Sequence, residues 1–274
     1  MKLKVPSLKA DDVLIIGSSR AHFDIDIYVW EELTGKRPIM LASGGMSPGP
    51  VLKDLAENTD FKSVLIVGVA PDLFFGLPGS GGWNRPQERL DYFKKQTYAQ
   101  RFSQWVFTFV DPHFAYINDN IQLKALTDWV PMPQRDSVRP PLIWPDMSVN
   151  DANRNLKMIP EMAIDTVMQK DYKNIWNSFG WQKPDSTKRD TVIEMYAAWV
   201  KQIESRGGKV IFLRAPSTDV YLTYENEAFP RTKYWDKLLE KSACSGIYFE
   251  DYPTLREFNC PEWSHLLPDD ARKF

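Results

Sequence analysis

Two cysteines and three histidines are all that this chain of 274 residues offers to a soft metal. No group of Cys, His and acidic residues has the spacing of a metal site. A glycine-rich loop of either phosphate-cradling type is also missing, so no nucleotide cofactor is expected, nor any other. No apolar run approaches the length that crosses a bilayer. The opening Met1-Lys-Leu-Lys-Val-Pro6 gives way to a polar stretch and then a strand, unlike a signal peptide. Neither charge sign dominates: 34 basic against 36 acidic residues leave a formal net charge of −2, which argues against nucleic acid or an anionic membrane surface as the main partner. Internal repeats and low-complexity tracts are absent. What remains is an ordinary globular composition, 43% hydrophobic and 26% charged. A chain of this length buries roughly three quarters of its unfolded surface, so folding requires neither metal nor disulfide.

Two features bear on compartment. The first strand begins almost at Met1, as in a chain trimmed to its folded part. Cys244 and Cys260 flank one strand and a loop. An even count fits a disulfide in an oxidising compartment, worth about 3 kcal/mol for a loop of this size; two buried, reduced thiols are the alternative.

The N-terminal third alternates strand and helix. Val13–Ile16 is wholly apolar and stops at Gly17, which reads as a buried parallel strand. A helix follows from about Asp24 to Leu33, closed near Gly35. Ile39–Leu41 forms a second strand, the loop Ser43–Pro50 leads into a short helix over Val51–Ala56, and Ser63–Val69 is a third strand. The C-terminal third resumes the pattern. Thr191 to Glu194 has capping-box spacing, and Val192, Met195, Tyr196, Trp199, Val200 and Ile203 share one helical face. Strands at Lys209–Leu213 and Gly246–Phe249 flank a helix at Lys233–Lys241, and a terminal helix starts at Pro268. Short connections between such elements mean an α/β fold with a doubly wound, mainly parallel sheet of five strands.

Between these thirds lies a stretch of different character, residues 76–184, with ten of the twenty prolines and six of the ten tryptophans. We expect one domain over residues 1–274, with 76–184 inserted as a cap over the carboxyl ends of the strands, where ligands bind in such folds. Pro131, Pro133, Pro140, Pro141 and Pro145 suit a rigid wall. Of Trp83, Trp129, Trp144 and Trp176, at least one should border the cleft; the others pack the cap.

Ser19 is the first candidate for chemistry. It stands just beyond a buried strand, on the turn into a helix, which exposes a hydroxyl near the positive end of that helix. Serines here also cap helices. His265 adds to the case: it follows the last strand, opens the final helix, and has Glu262 three residues before it. A base held by a carboxylate and brought to the same sheet edge as an exposed serine is what nucleophilic catalysis requires. Arg20 either holds an anionic or polar substrate group or forms a surface salt bridge. Asp72, at the end of the third strand, either faces the substrate or caps a turn. His22 and His113 lack any partner pattern and read as structural.

These blocks, in this order, resemble those of the SGNH (GDSL-type) hydrolases. Gly17-Ser18-Ser19 is similar to the first block, with Ser19 as nucleophile. Ser43-Gly-Gly-Met-Ser47 resembles the second, in which a glycine amide joins that of the nucleophile in the oxyanion hole; Gly45 is the best match and Gly44 the next. Glu262-Trp-Ser-His265 is similar to the final Asp-x-x-His block, with His265 as base oriented by Glu262. The resemblance implies a flavodoxin-like three-layer sandwich and a serine esterase or O-acyltransferase. The Ser-Ser variant resembles the cell-envelope branch, which implies an extracytoplasmic protein acting on an acylated glycan or similar ester, commonly tethered by an N-terminal membrane helix outside this sequence. Two positions depart from the pattern. Val67-Gly-Val-Ala-Pro-Asp72 stands where the third block belongs but has Ala70 or Pro71 in place of its asparagine, and losing such a donor costs about 3 kcal/mol of transition-state stabilisation. Glu262 replaces aspartate, so its longer side chain must fold back. A non-catalytic relative that binds glycan or partner proteins is the alternative.

Overall fold

The computed structural model describes residues 8–110, 113–114, 147–181 and 183–274. In chain order these form β1 (Val13–Ile16), α1 (Ser19–Asp24), α2 (Ile27–Thr34), β2 (Ile39–Met40), α3 (Gly49–Glu57), β3 (Val64–Gly68), α4 (Pro71–Phe74), α5 (Gly81–Lys95) and α6 (Tyr98–Val110). After the undescribed stretch come β4 (Ser148–Asn150), β5 (Leu156–Met158), α7 (Thr166–Ser178), α8 (Arg189–Glu204), β6 (Lys209–Arg214), α9 (Asp219–Ala228), α10 (Trp235–Ser242), β7 (Ser245–Tyr248), α11 (Pro253–Arg256) and α12 (Pro268–Ala271).

Five strands pair in the order β2-β1-β3-β6-β7, every pair parallel. β4 and β5 form a separate antiparallel hairpin. Strands apolar on both faces require cover on both, and alternate side chains find it. Leu14, Ile16, Leu65, Val67, Val210 and Phe212 pack with α3, α8 and α10 through Leu52, Tyr196, Val200 and Leu238. Ile15 and Ile66 pack oppositely, with Ala21 of α1 and Ile27 of α2. The sheet is thus the middle of three layers. Its order reverses between β1 and β3, so a crevice opens at the carboxyl ends of those two strands.

Glycine makes the approach to that crevice possible. A Cβ on Gly17 would sit 2.8 Å from Ala21 Cβ and 3.1 Å from Gly68 Cα, and one on Gly68 would sit 2.6 Å from Ala21 Cβ. Only with both side chains absent can α1 start directly over the ends of β1 and β3.

The expected helix from Asp24 to Leu33 is two helices. The chain extends at Ile25 and Asp26, and Asp26 then caps α2 by accepting from the Tyr28 and Val29 amides; Gly35 closes α2 in the left-handed region. α9 escaped the sequence reading because its polar face includes a buried glutamate, Glu225.

The chain divides into two compact units, one of residues 1–90 with 147–274, the other of residues 91–146. The stretch 76–184 is therefore not one body: its flanks belong to the sheet-bearing unit. In the smaller unit, α6 opens with a capping box, Gln100 N–H donating to Thr97 Oγ1 and Thr97 N–H to Gln100 Oε1. The five prolines expected to stiffen a wall, and Trp129 and Trp144, lie outside the described residues.

The expected disulfide is not formed: Cys244 and Cys260 are both free. Cys244 precedes β7, at the amino edge of the sheet, with its sulfur against Glu204 Oε1. Cys260 is buried against Leu266 and Ala271 in the loop that carries His265. A four-residue strand between them spans about 13 Å, while a disulfide needs Cα atoms within about 7 Å.

Candidate active site

β1 delivers Ser19, as its spacing predicts. Ser18 occupies the N-cap of α1 without a side-chain capping bond, and Ser19 is the first helical residue, half-buried, with no hydrogen-bond partner for its hydroxyl among the described residues. The loop Ser43–Pro50 runs alongside. Ser43 N–H donates to Gly17 O at 3.0 Å, and Ser47 N–H to Gly82 O at 2.8 Å, which pins the loop at both ends. Gly44, not Gly45, is the glycine beside Ser19: its Cβ, if present, would lie 3.9 Å from Ser19 Cβ. Gly45 turns away with φ +65°, and its Cβ would face Arg85.

His265 is held from every side but one. Glu262 folds its side chain back so that Oε1 accepts from His265 N–H at 2.6 Å, from Nδ1 at 2.9 Å and from Ser264 N–H at 3.3 Å. Glu262 Oε2 accepts from Trp176 Nε1 at 2.6 Å. With Nδ1 carrying the hydrogen, Nε2 is left as the acceptor, and it is buried without a hydrogen-bond partner among the described residues. Phe23 packs on the imidazole with ring centroids 4.5 Å apart. Ser19 and Phe23 are one turn apart on α1, hence on one face, so the ring lies along the face that bears the serine. No hydrogen bond joins Ser19 Oγ to His265 Nε2, a contact that in unliganded sites commonly tightens only with substrate.

Asp24 was not singled out in the sequence, yet it fastens this loop to α1. It is fully buried, and its Oδ1 accepts from Leu266 N–H at 3.0 Å. Burial pushes its carboxyl well above the usual carboxylate range, and the Glu262 charge adds to the rise against the pull of Arg20. Trp176, on α7, is the one described member of the four tryptophans at the site, where it grips Glu262. Trp83 packs on Trp199 in the core.

Arg20 and Asp72 lie in a buried cluster of polar groups. Arg20 is buried, bridging Glu225 at 2.8 Å, donating from Nε to Ser264 Oγ at 3.2 Å and stacking over Tyr221. Arg214 reaches the same Glu225 at 2.6 Å. Burial alone would lower the Arg20 pKa, but the Glu225 carboxylate holds it above the ordinary value; Glu225 is held below its own, against burial, by the two arginines. Asp72 accepts from Tyr221 OH at 3.2 Å and from Leu73 N–H, and burial with the Glu225 charge raises its pKa. Arg20 thus ties α1 both to Glu225 and to Ser264 of the His265 loop. In the third block Ala70 caps α4 and offers no side-chain donor.

His22 is structural, as read: buried, with Nε2 3.1 Å from Arg154 O. His113 is exposed. Among the described residues no cluster of His, Cys and acidic groups could hold a metal ion, and no helix is long and apolar enough to cross a membrane. Compared with protein-family models and with curated proteins, the sequence matches none.

Proposed function

We propose that the chain is an SGNH-like serine esterase or O-acyltransferase that acts on an acylated cell-envelope glycan or a similar ester. The observation that carries the reading is His265 Nε2, a buried acceptor with no partner among the described residues, on a ring fixed by the buried Glu262 carboxylate. In this reading Ser19 Oγ attacks the acyl carbon and His265 Nε2 takes its proton. Glu262 holds the ring and stabilises the imidazolium. The Ser19 and Gly44 amides receive the oxyanion. The proton then passes to the leaving oxygen, and water or a sugar hydroxyl resolves the acyl-enzyme. With the thiols apart, an extracytoplasmic location rests on the resemblance to the cell-envelope branch.

A fluorophosphonate probe and a short-chain aryl ester test it. Ser19 should be labelled, and Ser19→Ala and His265→Gln should each abolish ester cleavage while retaining the wild-type circular dichroism. Equal cleavage in all three proteins would overturn the assignment. The second reading, a non-catalytic binding protein, is favoured by Ala70 and Pro71 standing where a donor is usual. It predicts no labelling and no turnover with the cleft still binding glycan.

A further inference from the structure

The loop beside Ser19 is ringed by three guanidinium groups that no carboxylate among the described residues neutralises. Arg85 and Arg89 are exposed on α5, one turn apart. A Cβ on Gly45 would lie 3.6 Å from Arg85 Nη1. Arg89 Nη1 donates to Ser43 Oγ at 3.2 Å. Arg154, at the tip of the β4–β5 hairpin, donates from Nε to Met40 O at 3.0 Å and from Nη2 to Ala42 O at 2.8 Å. Its pKa is lowered by burial and then by the Arg89 charge, so these two cations repel. None of the three forms an ion pair among the described residues, and Glu88, next to Arg89, pairs with neither Arg85 nor Arg89.

This arrangement is unfavourable in the free protein. Like charges four residues apart destabilise a helix, and here a third cation faces them across the loop. It is not the by-product of a basic protein, because the net charge is −2. Gly44 and Gly45 are exposed and without side chains, so the backbone between the arginines stays open to a ligand. Arginine's planar fork matches carboxylate and phosphate oxygens in pairs.

We infer that Arg85, Arg89 and Arg154 form an anion-binding subsite around Ser43–Gly45, which selects a glycan bearing carboxylate or phosphate groups close to the ester presented to Ser19. The identity of the ligand as substrate rests on the esterase reading above; the binding of the anion does not. A neutral acylated glycan would leave the three charges uncompensated and bind more weakly.

The test is calorimetric titration of the full chain with trigalacturonate, glycerol phosphate and uncharged maltotriose, at low and high salt. One of the two anions should bind in preference to maltotriose, and its affinity should fall with salt. Arg85→Ala/Arg89→Ala should weaken it at least about tenfold; these side chains are exposed, and circular dichroism would confirm the fold. Arg85→Lys/Arg89→Lys should recover part of the affinity, since charge returns without the fork. Tighter binding of trigalacturonate assigns a carboxylate, of glycerol phosphate a phosphate. Absence of binding by both anions, affinity unchanged in the double alanine variant, or maltotriose binding as well as they do would each overturn the subsite. Arginine-dependent anion binding with an unlabelled Ser19 would remove the catalytic reading alone. Ser19-dependent cleavage with no preference for the anions would remove the subsite alone.

Discussion

Asp24 Oδ1 accepts the backbone N–H of Leu266 at 3.0 Å, joining the last residue of α1 to the residue that follows His265, 242 positions along the chain. The serine-bearing helix and the histidine-bearing loop are therefore one assembly, held by a carboxyl whose other oxygen is buried and unpartnered among the described residues. Burial raises the Asp24 pKa in the folded protein, so the folded state keeps a proton there that the unfolded chain releases. Its contribution is complete below the ordinary carboxylate pKa and is lost as pH rises through the folded value. Asp24→Asn copies the protonated form and retains the acceptor. Relative to wild type it should gain stability over the pH range above the ordinary carboxylate pKa of about 4. Urea unfolding across that range checks this; a variant that loses ground with rising pH would mean that Asp24 is ionised against Arg20.

Glu262 Oε1 takes three donors from Ser264 and His265, and Oε2 takes a fourth from Trp176. A carboxylate can accept all four; an amide must turn its own N–H groups toward a donor on one side. Glu262→Gln should therefore lower stability by about 1–3 kcal/mol, the cost of a buried unsatisfied donor, as well as slow any Ser19-dependent turnover. Trp176→Phe, which deletes one donor and keeps the bulk, should cost less. Denaturant midpoints of the two variants decide it, and a Glu262→Gln protein as stable as wild type would show that the carboxylate is not gripped as described.

How much of this was legible follows from what each contact depends on. β1 and β3 could be read because each is a continuous apolar run covered on both faces, and the Glu262–His265 pair because its partners are three residues apart. Asp24, Trp176 and Arg154 act through partners 86 to 242 residues distant, and no local pattern marks an aspartate on a short helix as the clasp of a remote loop. The surroundings of Arg20 were not legible because its buried partner Glu225 stands on a helix that the sequence pattern does not show. The cysteines misled for a geometric reason: nearness in sequence spans opposite edges when a parallel strand lies between.

That geometry gives a direct expectation for the thiols. Burial and then the neighbouring Glu204 push the Cys244 thiol up to about 12, and burial pushes Cys260 well above its ordinary value. Neither supplies the thiolate that oxidation and disulfide exchange need. Both should react slowly with a thiol reagent in the native protein and fully after unfolding, and a reductant should leave the denaturation midpoint unchanged. A lower midpoint on reduction would restore the bond that the strand separates.

His22 contributes to the acid limb of stability. Its ring is buried on α1 with Nε2 against Arg154 O, and burial, followed by the Arg154 charge, lowers its pKa to about 4. The unfolded histidine binds its proton near pH 6.5. Between about 6.5 and 4 the unfolded state thus binds more protons than the folded state, and stability falls as pH falls through that window. The full loss is at most about 3 kcal/mol. A glutamine at this position can donate to the same carbonyl without titrating. His22→Gln should flatten the decline between pH 6.5 and 4 and match wild type more closely at the acid end than at neutral pH. Thermal unfolding of the two proteins over this range would show it. Parallel curves would mean that His22 is charged in the folded protein, which would place a fourth cation beside Arg154 at the edge of the loop that flanks Ser19.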